Sequence, residues 1–208
     1  METPCPSCGA ERETPLCCAS CGALFEVSSA ADPYELLGLP RAYAIDAKQL
    51  KRRLLQLTRR MHPDFFGTAA ADQKALAERN TAILNESHEE LADDLRRADG
   101  LVRRLGGPDE NTERQMPQEF LMEVLEWNEA LDDERSSDAP SPALDDLEAA
   151  LTARRTATLG EVSALLDPLP ESGSPLLIEV RRHLNGLRYL QKTLAEIRAL
   201  RLDQASSH

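Results

Sequence analysis

The sequence predicts an almost all-α protein preceded by a small cysteine-rich module. Three observations carry this. Ala, Leu, Glu and Arg dominate, and their straight side chains lose little rotamer freedom in a helix. Aromatic residues are only 4% of the chain, fewer than a sheet protein ordinarily uses. From residue 32 onward the apolar positions recur with helical period. With 208 residues and 41% apolar content, the chain can hold one ordinary domain or two small ones around a real core.

Four segments are expected: a tetracysteine module at 1–27, a helical hairpin domain at 30–105, a linker at 106–118 and a three-helix bundle at 119–208. The first holds every cysteine. "CPSCGAERETPLCCASCG" contains Cys5-x-x-Cys8 and Cys18-x-x-Cys21, each pair followed by glycine. Two intervening residues let one turn hold both thiolates against one tetrahedral ion, and the glycine lets backbone amides approach the sulfurs. Cys5, Cys8, Cys18 and Cys21 therefore read as ligands of one structural zinc ion, because a closed four-thiolate site leaves no open position for substrate. Cys17 is the spare; as a ligand in place of Cys18 it would spoil the x-x spacing. The same thiolates also suit an iron-sulfur cluster, which colour and iron content would separate from zinc.

In the second segment, Leu50, Leu54, Leu57 and Met61 fall on one helical stripe, with Lys48, Lys51, Arg52 and Arg59 on the far side. Pro63 ends this helix and Gly67 allows reversal. Leu76, Ile83, Ser87 and Leu91 mark a returning helix that begins around Ala69 to Ala71. The product is an antiparallel hairpin with His62, Pro63 and Asp64 at its tip. "DPYELLGLP", residues 32–40, reads as a short amphipathic helix able to cover the hairpin's apolar stripe.

The glycines, prolines and polar run of "LGGPDENTERQMP" read as the linker. Beyond it, "SSDAPSPALDD" at 136–146 and "DPLPESGSP" at 167–175 divide the chain into three helices. In the first, Phe120, Val124, Trp127 and Leu131 make a core face. Leu121, Met122, Leu125, Glu126, Glu129 and Asp133 lie on the opposite side. That second stripe is either a second buried face or a binding surface with an acidic rim. In the last helix Val180, Leu184, Leu187 and Leu194 form the core stripe, and Tyr189 is expected to point away from it. An outward aromatic beside outward Leu and Met favours the binding surface.

The hairpin with "HPD" at its tip resembles a J-domain, the module that docks on DnaK-type chaperones and stimulates their ATP hydrolysis. The resemblance gives His62, Pro63 and Asp64 the triggering role, and makes Lys48, Lys51, Arg52 and Arg59 the cations that steer docking onto an acidic patch. Where many J-domains follow the aspartate with lysine, this chain has Phe65. "FLMEVLEWNEALDD" and "LRYLQK" resemble the HscB family, J-protein co-chaperones of iron-sulfur cluster biogenesis, some of which carry zinc knuckles. That resemblance spans nearly the whole chain. It implies an L-shaped molecule in which Leu121, Met122, Leu125, Glu126, Glu129, Asp133 and Tyr189 hold the cluster scaffold, IscU, and the J-domain presents it to HscA or an equivalent chaperone.

The formal net charge of −12 argues against wholesale binding to nucleic acid. No apolar run approaches the roughly 20 residues that span a bilayer. "METPCPSCGAERETP" has neither the cationic and apolar segments of a secretory signal nor the acid-poor composition of a transit peptide. The expected location is the bacterial cytoplasm rather than the mitochondrial matrix, a reducing compartment without structural disulfides. A weak homo-oligomer, formed through the tetracysteine module, is a further expectation. Two other classes compete: a general J-protein adaptor for a different client, and an enzyme, either zinc hydrolase or thiol oxidoreductase. The enzyme reading lacks a phosphate loop, a nucleophile with its base, and a histidine ligand near the cysteines.

Overall fold

A computed structural model describes residues 4–62, 64, 71–135 and 142–206, with side chains through Leu202. The described residues form seven helices, and their β structure is an isolated antiparallel bridge between Cys17 and Leu24. The chain divides into two compact units, 1–97 and 98–208.

The first unit opens with two matching knuckles. In one, the Gly9 amide donates to the Cys5 carbonyl at 2.8 Å and the Cys5 amide to the Ala10 carbonyl at 2.8 Å. In the other, the Gly22 amide donates to Cys18 at 3.0 Å and the Cys18 amide to Ala23 at 2.9 Å. Each turn needs a left-handed residue, and Gly9 (φ 75°) and Gly22 (φ 73°) supply it.

Helix α1 (Pro33–Leu37) starts with Asp32 accepting from the Tyr34 amide at 3.1 Å and ends at Gly38, φ 63°. Helix α2 (Ala47–Met61) starts at Asp46, which accepts from the Lys48 amide at 2.8 Å. Helix α3 (Ala71–Ala92) returns beside it and helix α4 (Asp94–Arg104) follows, the unit boundary falling within α4. Sequence periodicity gave no sign of the break between α3 and α4. It is a capping event: the Asp93 carboxylate accepts from the Arg96 amide at 2.8 Å.

Tyr34, Leu36, Leu37, Leu50, Leu57 and Met61 are buried in this unit, while Leu54 is half-buried. On α3 the inward face is Leu76, Ala77, Asn80, Leu84, Ser87 and Leu91, so Leu84 takes the core position expected of Ile83. A polar residue, Asn80, occupies the middle of that face. Pro63 and the expected start of the returning helix at 69–70 lie outside the described residues.

The second unit contains α5 (Gln118–Arg135), α6 (Pro142–Leu166) and α7 (Leu176–Ser206). Helix α6 begins at Pro142, so the insertion expected to reach residue 146 is shorter by one turn. Proline at the first helical position loses no intrahelical bond. The core joins Phe120, Trp127 and Leu131 of α5 to Leu144, Leu147, Leu151, Val162 and Leu166 of α6 and to Val180, Leu184, Leu187, Leu190 and Leu194 of α7. Each such side chain contributes about 1.5–3 kcal/mol, and these burials offset the ordering of three long helices.

The Gly-Pro-rich stretch after α4 is tied to α7. Asn185 Nδ2 donates to the Glu113 and Gln115 carbonyls at 3.0 and 2.8 Å, and Arg182 pairs with Glu113 at 3.2 Å. Arg181, fully buried, donates to the Pro108 carbonyl at 2.9 Å and pairs with Asp99 at 2.5 Å. A buried guanidinium is stable only when paired in this way.

Candidate metal centre and two candidate docking surfaces

The knuckles bring the sulfurs of Cys5, Cys8, Cys18 and Cys21 within 4.8 Å of one another. Cys5 lies 3.7 Å from Cys21, and Cys8 lies 3.7 Å from Cys18. A tetrahedral ion with 2.3 Å bonds to sulfur needs edges of about 3.8 Å. The thiols therefore fit one four-coordinate metal ion. The amides of Cys21 and Ser20 hold the Cys18 thiol down to about 6 against burial. The Ala10 amide pulls Cys8 the same way, but the thiols of Cys21, Cys5 and Cys18, together with burial, push it up to about 12. Cys18 rather than Cys17 joins the four-sulfur group; Cys17 is buried outside it, and burial raises its thiol.

The module does not stand alone on the chain; it is seated on the hairpin of the same unit. Thr14 Oγ1 donates to the Leu36 carbonyl at 2.7 Å, and Asn80 Nδ2 donates to the Leu16 and Phe25 carbonyls at 3.3 and 2.9 Å. Leu16 and Cys17 are buried. Glu13 accepts from Arg53 at 3.3 Å and Arg60 at 3.4 Å, and these two arginines hold its carboxyl below the usual range against burial. Sequence reasoning missed this docking, because Thr14 and Asn80 carry no periodic signal.

At the hairpin tip, His62 closes α2. The Asp64 amide donates to His62 Nδ1 at 3.2 Å, and the Asp64 carboxylate lies 3.4 Å from the same nitrogen. Both side chains are exposed, and Pro63 between them lies outside the described residues. Lys48, Lys51, Arg52 and Arg59 are exposed along α2. None of the four pairs with a carboxylate of a described residue. Leu55 and Gln56 lie among them.

On α5, Leu121, Met122 and Leu125 are 44%, 65% and 60% exposed, and Glu126, Glu129 and Asp133 are exposed around them. Phe120 backs this surface, edge-on to Trp127 at 5.6 Å and to Tyr189 at 6.0 Å. Tyr189 departs from expectation. It is half-buried at the seam of α5 and α7, with its hydroxyl donating to Asn128 Oδ1 at 2.7 Å, because the ring gains an aromatic edge contact by folding onto Phe120. Arg154 of α6 braces α5, lying over the Phe120 ring at 5.6 Å and pairing with Glu123 at 3.0 Å, while Glu161 of its own helix holds it at 3.2 Å. No described helix is long and apolar enough to cross a membrane.

Residues 116–198 match the family model described as the HSCB C-terminal oligomerisation domain. The chain is 32% identical over 172 residues to the co-chaperone protein HscB homolog of Shewanella sp. strain ANA-3, covering 82% of this chain and 98% of that protein. With the corresponding homolog of Aliivibrio salmonicida it shares 30% identity, over 80% and 95% of the two chains. The crystal structure of the human co-chaperone protein HscB superposes with a TM-score of 0.77 at 26% identity, covering 97% of this chain and all of that one. The chaperone HscB from Vibrio cholerae shares the fold, with a TM-score of 0.67 at 24% identity.

Proposed function

This chain belongs to the HscB family of co-chaperones, and from that premise we propose that it binds an IscU-type iron-sulfur scaffold protein and delivers it to a DnaK- or HscA-type chaperone. The exposed apolar face of α5 carries the reading. Leu121, Met122 and Leu125 point into solvent beside three exposed carboxylates, an arrangement with no use inside a bundle and the form of a protein-binding surface. Tyr189 supplies its aromatic edge.

The other arm is the hairpin of the J-domain. His62, Pro63 and Asp64 trigger ATP hydrolysis in the bound chaperone, and Lys48, Lys51, Arg52 and Arg59 steer the encounter by long-range attraction to an acidic surface. The protein makes and breaks no bond itself. The four thiolates hold one zinc ion, whose role is to close the knuckles and so to stabilise the module. The bacterial cytoplasm, where a reducing environment preserves such thiolates, is the setting in which these parts work together.

The test is steady-state ATP hydrolysis by a purified DnaK-type chaperone, with and without this protein and an IscU-type scaffold. Stimulation that is synergistic with scaffold and abolished by Asp64→Asn is expected. Combined Leu121→Ser, Met122→Ser and Leu125→Ser should remove the synergy and leave the scaffold-independent stimulation. Stimulation indifferent to scaffold would instead identify a J-protein with another client.

A further inference from the structure

The basic face of α2 has a feature that charge alone does not explain. Lys48, Lys51, Arg52, Gln56 and Arg59 line an open groove of about 410 Å³, and Leu55 lies among them, 48% exposed. Relative to Leu55 the cations stand at −7, −4, −3 and +4, the spacings that place side chains around a common centre on a helix. A single exposed leucine is ordinary. One ringed by four cations that pair with no described carboxylate is not, because the same helix uses its other cations differently. Arg53 and Arg60 are held by Glu13 of the cysteine module, which closes that flank of α2. The remaining flank is left charged and centred on Leu55.

Resting on the co-chaperone reading above, we propose that Leu55 is the apolar anchor of the chaperone-docking face, and that its partner is an acidic protein surface containing a recess for one aliphatic side chain. The division of labour follows from physical chemistry. Exposed cations raise the encounter rate and set its salt dependence but add little lasting affinity. Lasting affinity comes from a desolvated apolar centre ringed by groups that exclude water. The methylene stems of the four cations extend the groove's apolar lining around Leu55, and their charged ends meet the partner's carboxylates. An acidic surface without a recess would leave Leu55 in water. An apolar surface without carboxylates would strand four cations.

Binding kinetics of the full-length, zinc-loaded protein to a purified DnaK-type chaperone, at low and high salt, separate the two roles. Leu55→Ser should weaken binding roughly tenfold through faster dissociation, with an unchanged salt slope for association. Lys51→Ala should slow association and flatten that slope. Leu55→Met should restore most of the affinity, and because Leu55 is half exposed, all variants should retain the parent's thermal transition. If Leu55→Ser binds as tightly as the parent while Asp64→Asn still abolishes ATPase stimulation, the anchor proposal is wrong and the co-chaperone reading stands. If the parent itself neither binds nor stimulates the chaperone, the reading fails and the anchor with it.

Discussion

Asn80→Ala measures how far the cysteine module is part of the core of the first unit. Asn80 is completely buried on α3, and its Nδ2 donates to the Phe25 carbonyl at 2.9 Å and the Leu16 carbonyl at 3.3 Å. Alanine removes one well-formed bond and one long one, each contributing about 0.5–1.5 kcal/mol. The carbonyls lose unequally. Leu16 keeps the Phe25 amide as a donor at 3.0 Å, whereas Phe25 loses its Asn80 donor. Adding the small void left by the amide gives a loss of about 2–3 kcal/mol. The other ties do not supply a donor to the Phe25 carbonyl: Thr14 keeps its own bond to the Leu36 carbonyl, and Glu13 is half exposed, so its ion pairs contribute at most about 1 kcal/mol. The assay is native-state hydrogen exchange on the full-length, zinc-loaded protein, because the only tryptophan, Trp127, sits in α5 and reports on the second unit. Protection should fall together for α3 amides and for the module's Phe25 and Cys18 amides. A loss below about 0.5 kcal/mol, the ordinary range of an inconsequential substitution, or one confined to α3, would refute the reasoning.

Two further outcomes are expected. Chelation of the metal should release the knuckles, removing exchange protection at Cys5, Gly9, Cys18 and Gly22, and should lower the unfolding midpoint of the first unit; added zinc should restore both. In the second unit, burial lowers the pKa of His183, and Arg154 adds to the effect, while Glu161 at 3.1 Å and Glu179 oppose it. A base with a depressed folded pKa takes up its proton more readily when unfolded. Stability is therefore unaffected well above 6.5, the ordinary value, and falls as pH drops through it toward the folded pKa. His183→Gln should remove that component, seen as a flatter urea midpoint by Trp127 fluorescence between neutral and mildly acid pH.

The helical hairpin was legible because apolar residues repeat at helical spacing, and the knuckles because two C-x-x-C-G units leave few alternatives. Leu121, Met122 and Leu125 were legible for the same reason as the core: a second stripe on one helix can be counted from Phe120. Tyr189 was only half legible. Its angular position on α7 is a matter of counting, but its inward lean onto Phe120 and its bond to Asn128 depend on where α5 crosses α7.

What the sequence by itself determined were the properties carried by neighbours along the chain: helix periods, turns, and cysteines paired with two residues between them. The tertiary structure alone decided the pairings between distant residues. Asn80, 55 residues from Phe25, reads as a polar interruption until the cysteine module supplies its carbonyl partners. Arg53 and Arg60 read as further cations until Glu13 claims them, and only then is Leu55 seen at the centre of what remains. The reason is physical. A side chain's local period fixes its direction, but its energy depends on the group it meets, and that group is set by how the elements pack.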